Sequence, residues 1–135
     1  MHKDIIKRLI EEDPFLKNVG IKVMSVSKGR CKIAVEFKEE LTRTGGIMNG
    51  GAIATLADAT GGCAVLTQNE GRNQVTVDLS ISFLNPIENG PVIAEGHVTR
   101  TGKRLSFAYI EIFDGKGKLC ATAHGTWFFI GGLNQ

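Results

Sequence analysis

Residues 49–68 read NGGAIATLADATGGCAVLTQ, and this stretch decides the fold. It shows no β-branched alternation and is rich in small residues. Asn49 is a good N-cap type, which predicts a helix starting there and ending before Glu70-Gly71. Alanine, glycine and threonine occupy most of its circumference. A helix so small-sided and nearly uncharged is enclosed rather than laid on a surface. Gly61-Gly62 disfavours a helix by roughly 1 kcal/mol per glycine relative to alanine. Another backbone is therefore expected to pack closely there.

On either side the pattern changes to period two. Upstream, GIKVMSVSKG (20–29) and CKIAVEFK (31–38) read as a hairpin about Lys28-Gly29-Arg30. In the second strand Cys31, Ile33, Val35 and Phe37 alternate with Lys32, Ala34, Glu36 and Lys38. Residues 3–12 place Ile5, Ile6, Leu9 and Ile10 at helical spacing, a short amphipathic helix stopped by Pro14. Downstream, VTVDLSISF (75–83) alternates throughout. Strands follow near 92–101, 104–113 and 118–130, joined by turns at Thr101-Gly102-Lys103 and Asp114-Gly115-Lys116-Gly117. Short turns force antiparallel neighbours. The expected architecture is α+β, one curved antiparallel sheet wrapped around a single central helix, with residues 1–135 as one domain.

Composition narrows the function classes. Apolar residues make up 42% of the 135 and charged residues 22%, which excludes a disordered chain. A net charge of +2 is too small to argue for nucleic acid. No apolar run approaches the ~20 residues of a membrane span, and MHKDIIKRLIEEDPF lacks the long apolar region of a secretory signal. Cys31, Cys63 and Cys120 are odd in number and widely spaced, so they read as reduced, buried, small apolar residues. A cytoplasmic protein is expected. There is no Walker phosphate loop, no G-x-G-x-x-G, no G-x-S-x-G and no C-x-x-C. His2, His97 and His124 form no metal-ligand spacing, so no metal is expected.

One position stands out. Between Arg43 and Glu70 the only carboxylate or cation is Asp58. Asp is a poor helix former mid-helix, and Ala54, Thr55, Gly61 and Gly62 around it offer no helical salt bridge. Taken alone, Asp58 reads either as a solvent-facing residue, as a partner for the next strand's backbone, or as a chemical group. Asn49-Gly50-Gly51 opens the same helix. Its first amides have no intrahelical acceptor and carry the positive end of the dipole, so the Gly51 N–H suits an oxyanion. The alternative is an ordinary cap. Gly51 and Asp58 lie two turns apart on one face, about 10 Å along the axis. That is too far to share one reacting carbon, and pairing Gly51 of one subunit with Asp58 of a symmetry mate would close the gap.

At these residues the sequence resembles the hotdog-fold acyl-CoA thioesterases, specifically the phenylacetate-degradation (PaaI-like) group. The resemblance rests on Gly45-Gly46-Ile47-Met48-Asn49-Gly50-Gly51-Ala52, Leu56-Ala57-Asp58, Val75-Thr76-Val77-Asp78-Leu79 and Phe83-Leu84-Asn85-Pro86. The Thr101-Gly102-Lys103-Arg104 turn and the strand Ala121-Thr122-Ala123-His124-Gly125-Thr126 complete it. It implies a sheet around a long helix, dimers as the minimal unit and usually homotetramers. It implies Asp58 as nucleophile or general base toward a thioester, and the Gly51 N–H as carbonyl polariser across the dimer interface. CoA would be part of the substrate, with no separate cofactor. Thr76 matches a Ser/Thr that orients the attacking group in relatives, although strict alternation puts it opposite Val75, Val77 and Leu79. Only a twist at the strand start would turn it inward.

Relatives usually carry His-Gly-Gly where this chain has Asn49-Gly50-Gly51. Asparagine can cap the helix and donate a hydrogen bond but cannot titrate near neutral pH. Arg43 falls where relatives carry a polar amide or acid, either as a surface charge or as a CoA contact. Arg100, Lys103 and Arg104 surround one turn and repel one another, which an anionic partner would relieve. With Gly102 and Asn85 they are the residues expected at the CoA nucleotide. The reading is acyl-CoA hydrolysis. Its alternative is a non-catalytic acyl-CoA binding module, which Asn49 favours.

Overall fold

The structure is a computed structural model and describes residues 2–132. Two short helices come first, α1 (Lys3–Glu11) and α2 (Pro14–Val19). Pro14 does not merely stop α1. It opens α2, where its missing N–H is harmless, and Asp13 caps the turn through the Phe15 and Leu16 amides. α1 buries Ile6 and Ile10. Its Glu11 Oε2 accepts the Val23 N–H at 2.7 Å, which ties the helix to the first strand.

The strands are β1 (Lys22–Ser27), β2 (Arg30–Val35), β3 (Arg72–Phe83), β4 (Val92–Thr101), β5 (Leu105–Phe113) and β6 (Leu119–Gly132). They form one antiparallel sheet in the order β1-β2-β4-β5-β6-β3. The central helix α3 (Gly50–Leu66) fills the concave face, the hotdog arrangement. Eleven of its seventeen residues are buried, against Ile33 and Val35 on β2, Ala94 on β4, Ile110 and Ile112 on β5 and Ala123 on β6. The small side chains of α3 are what let the sheet close on it.

Two details depart from the sequence reading. The neighbour that requires Gly61 is a side chain, not a backbone. A Cβ there would lie 2.3 Å from Cη2 of Trp127 on β6. The close backbone approach occurs at Gly96 on β4, where a Cβ would lie 3.1 Å from the Thr60 carbonyl oxygen. Cys31 and Cys63 are joined as a disulfide between β2 and α3, their Cα atoms 6.0 Å apart. The expectation that all three cysteines are reduced is thereby corrected; Cys120 alone is free, and it is buried. A separation of 32 residues carries no sign that β2 passes under α3.

The β5–β6 turn is held by Asp114, whose Oδ1 accepts the Lys116 and Lys118 N–H groups, each at 2.9 Å. The Lys118 amide bond is the largest cause holding this carboxyl below its usual value of 3.8, against the opposing effect of burial. A lowered folded-state pKa stabilises the fold above the unfolded value, and that stability is lost as pH falls through the lower folded value. Asp114→Ala is therefore expected to lower Tm at neutral pH. Thermal scans across pH should show the gap from the parent protein shrinking below about pH 4.

Candidate active site

The helix α3 begins at an Asx cap. Asn49 Oδ1 accepts the Gly51 N–H at 2.6 Å, and the Asn49 carbonyl accepts from Ala52 and Ile53. The Gly51 amide expected as an oxyanion donor is thus already engaged within the chain. Among the described residues no acceptor meets the Gly50 N–H, one residue nearer the tip. The tip opens into a cleft of about 280 Å³ lined by Ile47, Met48, Ile53, Phe83, Leu84 and Pro86, with Arg43 at its edge. Most of its lining residues are apolar, and Arg43 and Asn85 are the polar side chains among them.

Gly51, Ala54, Thr55 and Asp58 form a stripe of α3 that the sheet leaves open. Asp58 is half-buried. It is not unpartnered: the Thr76 hydroxyl donates to Asp58 Oδ1 at 2.6 Å. The bond exists because β3 does not alternate strictly. The register with β6 shifts between Thr76 and Asp78, so Val77 is an extra residue. Thr76 pairs with Trp127, which faces the helix, while Val75 pairs with Phe128 on the other face. A bulge re-aims one side chain in this way, and edge strands and active sites are where bulges concentrate. Strict alternation had placed Thr76 outside; the bulge turns it in.

β3 runs antiparallel to α3, so the helix tip lies beside the strand's far end. The Phe83 ring sits against Gly50. Asn85 follows, with its Nδ2 on the Leu119 carbonyl at 2.9 Å. The basic turn lies at the other end. Thr101 reaches Gln68 just past the last turn of α3. The Gly102 N–H closes the turn on the Leu105 carbonyl, and Lys103 O receives Arg72 Nη1. Arg100, Lys103 and Arg104 are exposed. Among the described residues the ion pairs are His2–Asp4 and Arg8–Glu12, so none neutralises these three cations. A helix of this length spans about 25 Å. Within one chain Asn85 and the basic turn are therefore at opposite ends and do not form one binding site. Asn69 and Gln74 are not legible in the sequence, because a polar pair at an irregular strand start carries no periodic signal.

A half-buried acid on α3, a strand hydroxyl bonded to it and a helix tip beside a largely apolar cleft stand on a hotdog scaffold. The chain belongs to the thioesterase superfamily, whose family description matches residues 45–121. Its likeness is to the PaaI type of hotdog thioesterase. The PaaI protein from the phenylacetic acid degradation operon of E. coli superposes with a TM-score of 0.84 at 28% identity, covering 90% of this chain and 88% of that one. Human acyl-coenzyme A thioesterase 13 is 29% identical over 127 residues, 92% of this chain and 91% of its own length. The Thermoplasma acidophilum protein Ta0293, provisionally named an esterase, is 41% identical over 123 residues, covering 91% of this chain and 93% of that protein.

Proposed function

We propose that this protein hydrolyses acyl-CoA thioesters to free acid and CoA, with Asp58 as nucleophile or general base. The observation that carries the reading is the 2.6 Å hydrogen bond from Thr76 to Asp58 on the uncovered stripe of α3. The Thr76 hydroxyl engages one carboxylate oxygen, and among the described residues the other, Oδ2, meets no hydrogen-bond donor. That oxygen either attacks the thioester carbonyl, forming an acyl–Asp58 anhydride that water then opens, or takes a proton from a water that attacks the carbonyl itself; in both routes the C–S bond breaks and CoA leaves as the thiolate. A general base of this kind contributes roughly 10²–10⁴ in rate.

The functional unit in this reading is at least a homodimer, and a tetramer built from such pairs is compatible with it. β3 is an edge strand with unpaired backbone groups, and Val77 (55% exposed) and Phe83 (58%) lie along it. Covering it with a second copy brings the helix tip of one protomer to Asp58 of the other. The thioester oxygen then meets the first amides of α3, Gly50 directly and Gly51 once Asn49 yields or shares its acceptor. Asn49, unable to titrate near neutral pH, acts here as a cap and hydrogen-bond group. The unneutralised Arg100, Lys103 and Arg104 receive the CoA phosphates. Asn85 joins them at one ligand only if it comes from the other chain. The same reading places the enzyme in the cytoplasm, against which the Cys31–Cys63 disulfide weighs.

Subunit complementation tests the shared site. Asp58→Asn and Gly51→Pro are each expected to be inactive toward acyl-CoA by thiol detection. Mixed through denaturation and refolding, they form heterodimers in which one of two sites is intact, restoring about a quarter of full activity. No recovery in a mixture shown to contain heterodimer would place both residues in one chain. Acyl-CoA binding with no thiol release by the parent protein would instead leave a binding module.

A further inference from the structure

The hydrogen bond between Thr76 and Asp58 depends on how β3 is aligned with α3, and a second polar side chain also bridges the two elements. Gln74 precedes Thr76 by two residues on the same face of β3, and its Nε2 donates to the Gly62 carbonyl of α3 at 2.8 Å. Gly62 is one turn beyond Asp58. The two helix positions are about 6 Å apart along the axis, and the two strand positions about 6.7 Å apart. The spacings nearly match, so Gln74 on Gly62 and Thr76 on Asp58 form two rungs between one strand and one helix.

Gln74 is itself held. Asn69 is fully buried in the α3–β3 connection. Its Nδ2 donates to Gln74 Oε1 at 2.9 Å and to the Arg72 carbonyl at 2.7 Å, while its Oδ1 accepts the Gly71 N–H at 3.0 Å. The strand is irregular just here, with register shifts at Asn73/Gln74 and at Thr76/Asp78. The ladder with β6 is interrupted twice between Asn73 and Asp78, so along this stretch side-chain bonds to α3 add to the alignment.

We infer that Gln74, oriented by Asn69, is a positioning residue for the reaction: it locks the start of β3 to the Gly62 carbonyl and so holds the Thr76 hydroxyl on Asp58. This rests on the hydrolase reading above. Gln74 touches no reacting atom and acts through Thr76.

Gln74→Glu keeps the acceptor for Asn69 but sets a carboxylate against the Gly62 carbonyl. Gln74→Met keeps the volume and removes both bonds. Each is expected to lower kcat about tenfold with KM within about twofold, as misplacement of an orienting group does. Because the effect passes through Thr76, adding either change to Thr76→Val should lower kcat no further. Crystal structures of the folded variants should show Thr76 withdrawn from Asp58. Losses that multiply in the double variants overturn the inference, and so does an unchanged Thr76–Asp58 bond in Gln74→Glu. If the parent protein releases no thiol from aryl, short-chain or long-chain acyl-CoA, the hydrolase reading fails instead. The crystal structures then decide the positioning claim alone.

Discussion

Asp58→Asn is expected to lower kcat for acyl-CoA hydrolysis by at least about a hundredfold, the lower end of what a positioned base supplies. KM and Tm should change little. The substitution is nearly isosteric, and the asparagine oxygen can still accept the Thr76 hydroxyl that now binds Asp58 Oδ1 at 2.6 Å. The half-exposed setting of Asp58 keeps the structural effect small. What disappears is the anionic oxygen. Steady-state kinetics with thiol detection, beside a thermal melt, checks both halves. A variant that turns over at the parent rate removes Asp58 from the chemistry. A variant that loses activity and Tm together makes Asp58 structural. A single turnover of the parent enzyme in ¹⁸O-water then tests direct attack. Label found in the Asp58 carboxylate means that Asp58 attacked and that water opened the anhydride at the Asp58 carbon, whereas label only in the product acid means that water attacked the acyl carbon.

The fold was legible because two periodicities carry it. Residues 31–35 and 105–112 alternate with a buried face, and the sheet uses that face. The small-residue run became α3 because the curved sheet has room for little else. Asp58 was legible as the one charge on an otherwise neutral helix, and Thr76 only through family resemblance. Pattern alone placed Thr76 on the wrong face, since a one-residue bulge inverts every later side chain and leaves no mark in composition. The disulfide was hidden for a related reason. Cysteine count and spacing describe the chain, whereas pairing depends on which strand passes beneath which turn of α3. The separation of Asn85 from the basic turn is likewise a matter of helix length and strand direction. Charge clustering and family resemblance mark segments of the chain and carry no measure of the distance between them.

The adjacent glycines of α3 should respond to alanine with opposite signs. Helix propensity favours alanine at either position by about 1 kcal/mol. At Gly62 a Cβ would stand 3.4 Å from Trp127 Nε1 and 3.6 Å from Gln74 Nε2, ordinary contact distances. Propensity therefore wins, and Gly62→Ala should leave stability unchanged or raise it by up to about 1 kcal/mol. At Gly61 a Cβ would stand 2.3 Å from Trp127 Cη2 and 3.0 Å from Ile110 Cδ1. The indole cannot retreat. It is 2% exposed, and Gly125 on its far side leaves no room either, since a Cβ there would lie 2.4 Å from the same ring atom. Overpacking a rigid site costs about 1–3 kcal/mol and sometimes more, and this contact belongs at the upper end. Set against the propensity gain, Gly61→Ala should destabilise by about 2 kcal/mol or more. Urea unfolding of the two variants checks the pair. If the ring is the cause, Trp127→Phe should relieve part of the Gly61→Ala loss, making the double variant more stable than additivity allows. Equal losses at both glycines would mean that backbone freedom, not the indole, keeps them.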